Sequence, residues 1–267
     1  MTSNDTLVTY EVQDGVASLT LTNAPANAYS YEMMQQLDRC ILDARMSEDV
    51  HVILLTGAGD RFFCAGADIA MLQSMTPQTK AAFCLHANET MCRLEQTPKL
   101  VIAALNGHTV GGGLEVAMAC DLRVCRRGAG KVGLPEVKLG VLPGTGGTQR
   151  LTRAVGKARA MEMMMEGTTI DFDEAQELGL VNKVFDADSH ALFMEQAMTY
   201  ARSFCPPGTA SQAVGLIKRA CQTGGETTLE VGLALERELQ NRLFMADDAA
   251  EGLSAYNEKR KPSFTGR

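Results

Sequence analysis

Hydrophobic and polar positions alternate at the start of the chain and then change period. LVTYEV (7–12) and GVASLTLT (15–22) are β-rich runs joined through Asp14-Gly15, so they predict a hairpin with a tight turn. Tyr31 to Met46 has helical spacing, with Met34, Leu37, Ile41 and Leu42 on one apolar face. VHVILLTG (50–57) and LVIAALNG (100–107) are continuous apolar runs ending in glycine, as expected of strands buried on both faces. A helix is predicted to begin near Ala67 and Asp68, and another at Thr76-Pro77, where a capping residue precedes a proline at the first helical position. GGGLEVAMAC reads as a tight turn entering a helix. Asp173 is the expected cap of the short helix EAQEL (174–178), followed by a strand LVNKVF (180–185).

Strands therefore alternate with helices over about the first two hundred residues, the signature of an α/β architecture with crossover connections. From Asp188 onward strand signals vanish. Pro206-Pro207-Gly208 marks a break, and helices are predicted over 211–222, 227–244 and 247–259. The chain divides on this pattern into a core (1–200) and a helical carboxyl-terminal region (201–267).

Composition narrows the function classes. The 267 residues carry a net charge of −7 with a pI near 5.2, which argues against broad nucleic-acid binding, since that needs a basic face. No apolar run is long enough to span a bilayer, and the amino terminus has neither secretory nor transit-peptide character, so a cytoplasmic chain is expected, or a mitochondrial matrix protein if the chain is a processed one. The eight cysteines lack C-x-x-C or zinc spacing and read as reduced core thiols; no metal site is expected. Lys259, Arg260, Lys261 and Arg267 form a basic cluster at the carboxyl end, either a solvated tail or a phosphate contact.

Three glycine-rich segments follow or precede predicted elements: Ala65-Gly66-Ala67-Asp68, Gly111-Gly112-Gly113, and Gly144 to Gly147. None fits a nucleotide-binding fingerprint. Each alone reads as a turn. Together, two strand-to-helix turns can aim backbone N–H groups at one oxygen, the requirement of an oxyanion hole. Glu115 projects near the same helix start, where a carboxylate either complements the dipole or works on a ligand. Glu136 follows Pro135 in a predicted loop position and by itself reads as a surface residue.

FFCAGADI, LNGHTVGGGLEVAMACDLRV, LPEVKLGVLPGTGGTQRLTRAVGKARA, DEAQELGLVNKV and EGLSAYNEKRKPSF, in this order, resemble the enoyl-CoA hydratase/isomerase (crotonase) superfamily over nearly the whole chain. The resemblance implies a spiral of β-β-α units with a helical carboxyl-terminal trimerisation region, and a homotrimer or dimer of trimers. It implies that the Ala67 and Gly112 amides hold a thioester oxygen and that Glu115 and Glu136 are paired catalytic glutamates. Having both glutamates favours hydration of a trans-2-enoyl-CoA over simple isomerisation; decarboxylase, thioester hydrolase and branched or dicarboxylic hydratase activities are the rivals, and a non-catalytic RNA-binding relative is disfavoured by the acidity. Coenzyme A enters as part of the acyl-CoA substrate, with no separate cofactor. Its nucleotide is expected against Ala65, Asp68 and Ile69, and against Tyr256 and Lys259 of a neighbouring subunit. One departure stands out. Asn23 to Tyr29 has no Lys or Arg where many relatives carry a phosphate-binding cation. Cys64 and His108 are expected to be structural, and Met163 to Met165 to be core filler or flexible pocket lining.

Overall fold

The computed structural model describes residues 5–267. Strands β1 (Val8–Gln13) and β2 (Val16–Leu21) form the expected hairpin, with Asp14 and Gly15 both at positive φ. Helix α1 (Tyr31–Met46) follows, capped by Ser30. Then come β3 (Val52–Gly57), β4 (Phe62–Cys64), α2 (Ile69–Ser74), α3 (Pro77–Gln96), β5 (Leu100–Leu105), β6 (His108–Val110) and α4 (Gly112–Met118). After β7 (Leu122–Arg126) and β8 (Lys131–Gly133), a single 3-10 turn spans Glu136–Leu139. The remainder is α5 (Gly147–Val155), α6 (Lys157–Glu166), β9 (Ile170–Asp171), α7 (Phe172–Glu177), β10 (Lys183–Phe185), α8 (His190–Arg202), α9 (Ser211–Gly224), α10 (Leu229–Phe244) and α11 (Asp247–Glu258).

Two sheets organise the core. One runs β1-β2-β3-β5-β7-β10, parallel from β2 onward; the other runs β4-β6-β8-β9. Each turn of the chain places one strand in the first sheet, one in the second, and then a helix: β3/β4/α2–α3, then β5/β6/α4, then β7/β8 and the 3-10 turn. This is a spiral of β-β-α units. Its first turn is β2, α1 and a lone parallel bridge between Tyr29 and Ala67 where a short strand would stand.

The continuous apolar runs are explained by burial on both faces. Ile53, Leu55, Val101 and Ala103 point toward the helices α1 and α3, while Val52, Leu54, Ile102 and Val124 pack with Phe193, Ala197 and Ala201 of α8. Successive side chains of a strand face opposite ways, so nearly every position is apolar, and the one buried threonine, Thr56, spends its hydroxyl on Ala104 O at 3.0 Å. The strands of the second sheet are only two or three residues long, too short to show any alternation in sequence.

Some local expectations shift. The cap of α7 is Asp171, whose carboxylate accepts from Glu174 N at 2.9 Å; Asp173 lies inside the first turn and pairs with Arg127. The strand after it begins at Lys183, because the N–H groups of Leu180 and Val181 turn back to Ala175 O. In α1 the buried stripe is Met33, Met34, Leu37, Cys40, Ile41 and Ala44, with Leu42 only half-buried.

The carboxyl-terminal helices are anchored to the core by a buried ion pair. Lys218 of α9 donates to Asp121 Oδ2 at 2.8 Å and to the carbonyls of Leu94 and Lys99, both at 3.0 Å. Burial pushes Lys218 down and Asp121 up, each partly offset by the other's charge. Lys218→Ala leaves the largely buried Asp121 with Val101 N but without its cation, and removing one partner of such a pair typically costs about 3–5 kcal/mol. We expect a loss of that size in urea unfolding, and a value within about 1 kcal/mol of wild type would show that water reaches Asp121.

Candidate active site

Strands β4 and β6 run parallel, so the turns leaving their carboxyl ends lie side by side. The first turn passes through Gly66 at φ +93°, a conformation that favours glycine. A Cβ there would also sit 2.9 Å from Gly112 N, so only glycine lets the two turns approach this closely. The second turn passes through Gly111 at φ +57°, the cap of α4. Tyr29 N donates to Gly66 O at 2.8 Å and Asp68 N to Tyr29 O at 2.9 Å, fixing the chain on either side of Ala67. Among the described residues, neither the Ala67 nor the Gly112 N–H has a hydrogen-bond partner. Ala67 stays outside α2, whose cap is Asp68 rather than a residue further back.

Glu115 is buried one turn into α4, with 2% exposure. Its Oε1 accepts from Thr145 N at 2.9 Å and Gly147 N at 2.6 Å, and its Oε2 accepts from the Thr145 hydroxyl. The dipole it complements is thus that of α5, whose first residue is Gly147, not only that of its own helix. A Cβ on Gly147 would stand 2.9 Å from Glu115 Oε1, so this donor has to be glycine or the carboxylate moves. The donor loop is itself fastened. Asn88 Nδ2 donates to Gly144 O at 3.2 Å, and Arg150 Nη1 to Thr145 O at 3.0 Å while Arg150 grips Glu95 through two bonds of 2.7 and 2.8 Å. Thr145, Gly147 and Arg150 hold Glu115 and its donor loop in place, and the sequence does not reveal them. The glycine run marked the loop, but nothing local links it to a carboxylate 30 residues earlier.

Glu136 opens the 3-10 turn and corrects the surface reading: the residue is half-buried, and its Oε2 is buried without a hydrogen-bond partner. Its Oε1 would lie 3.2 Å from a Cβ on Gly111, so the carboxyl group sits over the cap of α4. Burial pushes its pKa up to about 7; a backbone hydrogen bond opposes the rise and the charge of Glu115 adds to it. Two carboxyl groups with different surroundings therefore flank the start of α4, beside two unpaired amides. One accepts three hydrogen bonds; the other is poised to gain or lose a proton near neutrality.

The expected coenzyme contacts are less complete. Ala65 N is taken by Ala26 O, and the Asp68 side chain is spent on capping Met71 N at 2.9 Å. Ile69 is exposed at the start of α2. Tyr256 is 84% exposed, and the side chains of Tyr256 and Lys259 make no hydrogen bond or ion pair among the described residues. The basic tail is only partly free: Arg260 is held by Glu251 and Glu258, and Thr265 and Gly266 are bound to the buried Asp248. The cation missing from Asn23 to Tyr29 has a neighbour in space, since Arg61 lines the same cleft as Ala24, Pro25 and Asn27 and lies over the Phe62 ring at 5.4 Å.

Cys64 is buried, with its thiol pushed up to about 12, which keeps it protonated. His108 accepts from Lys131 N at 3.2 Å. Met163 is buried, Met164 half-buried and Met165 exposed. Among the described residues, no helix is long and apolar enough to cross a membrane, and no cluster of side chains could hold a metal ion.

Comparison with known proteins shows the family and the fold. The enoyl-CoA hydratase/isomerase family profile matches residues 11–267. The 2,3-dehydroadipyl-CoA hydratase of Escherichia coli is 39% identical over 258 residues, covering 96% of this chain and 97% of that protein. The short-chain-enoyl-CoA hydratase of Clostridium acetobutylicum is 37% identical over 255 residues, covering 95% of each. A solved structure from Geobacillus kaustophilus superposes with a TM-score of 0.95 at 45% identity, covering 99% of this chain and 98% of the other. The spiral fold, the paired turns and the full-length matches together place this chain in the enoyl-CoA hydratase/isomerase family.

Proposed function

We propose that the protein is an enoyl-CoA hydratase, reversibly adding water to a trans-2-enoyl-CoA to give a 3-hydroxyacyl-CoA. The observation that carries this reading is the placement of two differently held carboxyl groups beside two unpaired N–H groups. The Ala67 and Gly112 amides receive the thioester oxygen, drawing electron density from the conjugated system and making C3 electrophilic. Glu115 orients a water at C3 and takes its proton. Glu136, in its protonated form, delivers a proton to C2. An isomerase moves one proton within the acyl chain and needs only one such group, so the pair favours hydration. The names of the relatives, which include a short-chain enoyl-CoA hydratase, support the same reaction class.

Ala65, Asp68 and Ile69 are proposed to contact the coenzyme A nucleotide, leaving Ala65 C=O and the Ile69 surface as the contacts not already spent within the chain. Tyr256 and Lys259 reach it from a neighbouring subunit of a homotrimer or dimer of trimers. The helical region 201–267 is the proposed assembly region, since Phe244, Met245 and Leu253 expose large apolar side chains there. The core 1–200 carries the chemistry. No resident cofactor takes part in this scheme.

Loss of the conjugated-thioester absorbance when crotonyl-CoA meets the enzyme tests the reading directly, and a panel of acyl chains defines its preference. Turnover of 3-enoyl-CoA without any hydration would overturn it in favour of isomerisation. A pH dependence also follows. Catalysis in either direction needs the glutamate pair to hold a single proton, and hydration consumes no net proton, so the equilibrium constant does not change with pH. kcat/KM for hydration and dehydration should therefore fall along the same curve as pH rises through about 7, where Glu136 loses its proton. Rates measured from both directions between pH 5 and 9, at roughly constant ionic strength, check this; a flat profile across about 7 would remove Glu136 as the proton donor.

A further inference from the structure

Tyr29 belongs to no assigned role, yet its hydroxyl reaches the centre of the site. Its residue forms the lone bridge to Ala67, and its ring packs 6.0 Å from Phe83. A Cβ on Gly112 would lie 2.1 Å from the Tyr29 hydroxyl, so that group stands directly beside the start of α4. Tyr29, Thr145 and Glu115 are all buried, at 3%, 3% and 2% exposure. The Tyr29 and Thr145 hydroxyl oxygens are 3.4 Å apart, and Thr145 is the only hydrogen-bond partner of the Tyr29 hydroxyl among the described residues.

We infer that Tyr29 is a positioning residue for Glu115, acting through the Thr145 hydroxyl. The inference rests on the hydratase reading above. The direction of the chain follows from counting protons. An ionised carboxylate only accepts, so Thr145 spends its single hydroxyl proton on Glu115 Oε2. Thr145 must then meet Tyr29 as an acceptor, and Tyr29 donates. Burial, with the charge of Glu115 next, pushes Tyr29 well above the usual phenol range, so it keeps that proton. With Oε1 filled by two amides and one face of Oε2 filled by Thr145, a single direction on Oε2 is left for the reacting water. Tyr29 fixes the Thr145 rotor and polarises its O–H, and so fixes that direction. At 3.4 Å the contact is long for a hydroxyl pair, which keeps the expected effect from exceeding the middle of the usual range.

The test compares two reactions of the same site. Hydration of crotonyl-CoA uses Glu115; exchange of the C2 protons of butanoyl-CoA with heavy water uses the oxyanion amides and Glu136 alone. Tyr29→Phe keeps the ring and should lower kcat for hydration about fivefold, with KM within about twofold of wild type. It should leave the exchange rate as it is. Thr145→Val should lower hydration by about tenfold or more, and adding Tyr29→Phe to it should change nothing further. Thr145→Ser, which keeps the hydroxyl, should restore hydration and its sensitivity to Tyr29→Phe. Wild-type hydration by Tyr29→Phe overturns the inference. So does a parallel fall in exchange, which would put Tyr29 in support of the amides or of the fold, and so does an undiminished effect in the Thr145→Val background. A wild-type enzyme that exchanges butanoyl-CoA protons but hydrates no enoyl-CoA instead defeats the hydratase reading, and with it the reaction to which Tyr29 is assigned.

Discussion

Glu115→Gln and Glu136→Gln are each expected to lower kcat for crotonyl-CoA hydration by about 10²- to 10⁴-fold, the usual contribution of a positioned proton-transfer group. They should do so in different ways. Glutamine at 136 removes the group proposed to carry the C2 proton, so butanoyl-CoA exchange should vanish along with hydration. Glutamine at 115 removes the proposed base for the water but leaves the amides and Glu136, so exchange should survive. The Glu115 substitution also has a structural cost, because a glutamine N–H₂ would face the Thr145 or Gly147 donors that now converge on the carboxylate. Some loss of thermal stability is therefore expected at 115, and little at 136, whose Oε2 has no partner to lose. The double variant should fall no further than the slower single one, since the two groups act on one reaction and their effects do not add. Either single variant hydrating crotonyl-CoA at close to the wild-type rate would sink the assignment of that residue.

How legible this site was depends on the range over which each piece acts. The first-sheet strands at 50–57 and 100–107 were plain in sequence because burial on both faces leaves a continuous apolar run. The hairpin at Asp14-Gly15 was plain because its turn chemistry is local. The second sheet was marked only by the strand-to-helix turns beside its strands: strands of two or three residues carry no period, and their pairing comes from the spiral bringing successive turns alongside each other. The same divide runs through the site. Glycines at 66, 111 and 112 marked the turns, and the resemblance joined Ala67 to Gly112. Glu136 looked like a surface loop residue because a single proline beside it says nothing of the α4 cap beneath its carboxyl group. Thr145 and Tyr29 could not be linked to Glu115 at all, since those contacts span 30 residues in one case and 116 in the other. Asp173 gives way to Asp171 as the cap for a smaller reason: both are good capping residues, and the short strand β9 decides which comes first.

Gly112→Ala should disable the proposed oxyanion hole while leaving both glutamates in place, with kcat down by about 10²- to 10³-fold, the range seen when one such donor is lost. The added methyl would sit 2.1 Å from the Tyr29 hydroxyl and 2.7 Å from its Cε1 and Cζ. Tyr29 is buried in the main core cluster, so its ring has little room to swing. The start of α4 has to give instead, and a displacement of about 1 Å is enough to cost two orders of magnitude when it misaligns a group aimed at developing charge. Overpacking of this kind also costs roughly 1–3 kcal/mol of stability. Gly208→Ala is the matched control: its Cβ would find only Cys205 O at 3.9 Å, and its φ is not positive, so activity and melting temperature should hold. Combining Gly112→Ala with Tyr29→Phe should not restore activity, because the 2.7 Å ring contacts remain after the hydroxyl is gone. Hydration and butanoyl-CoA exchange should fall together in Gly112→Ala, since both pass through an oxygen bearing negative charge. If exchange stayed at the wild-type rate, the negative charge would have to be stabilised somewhere other than at the Gly112 amide.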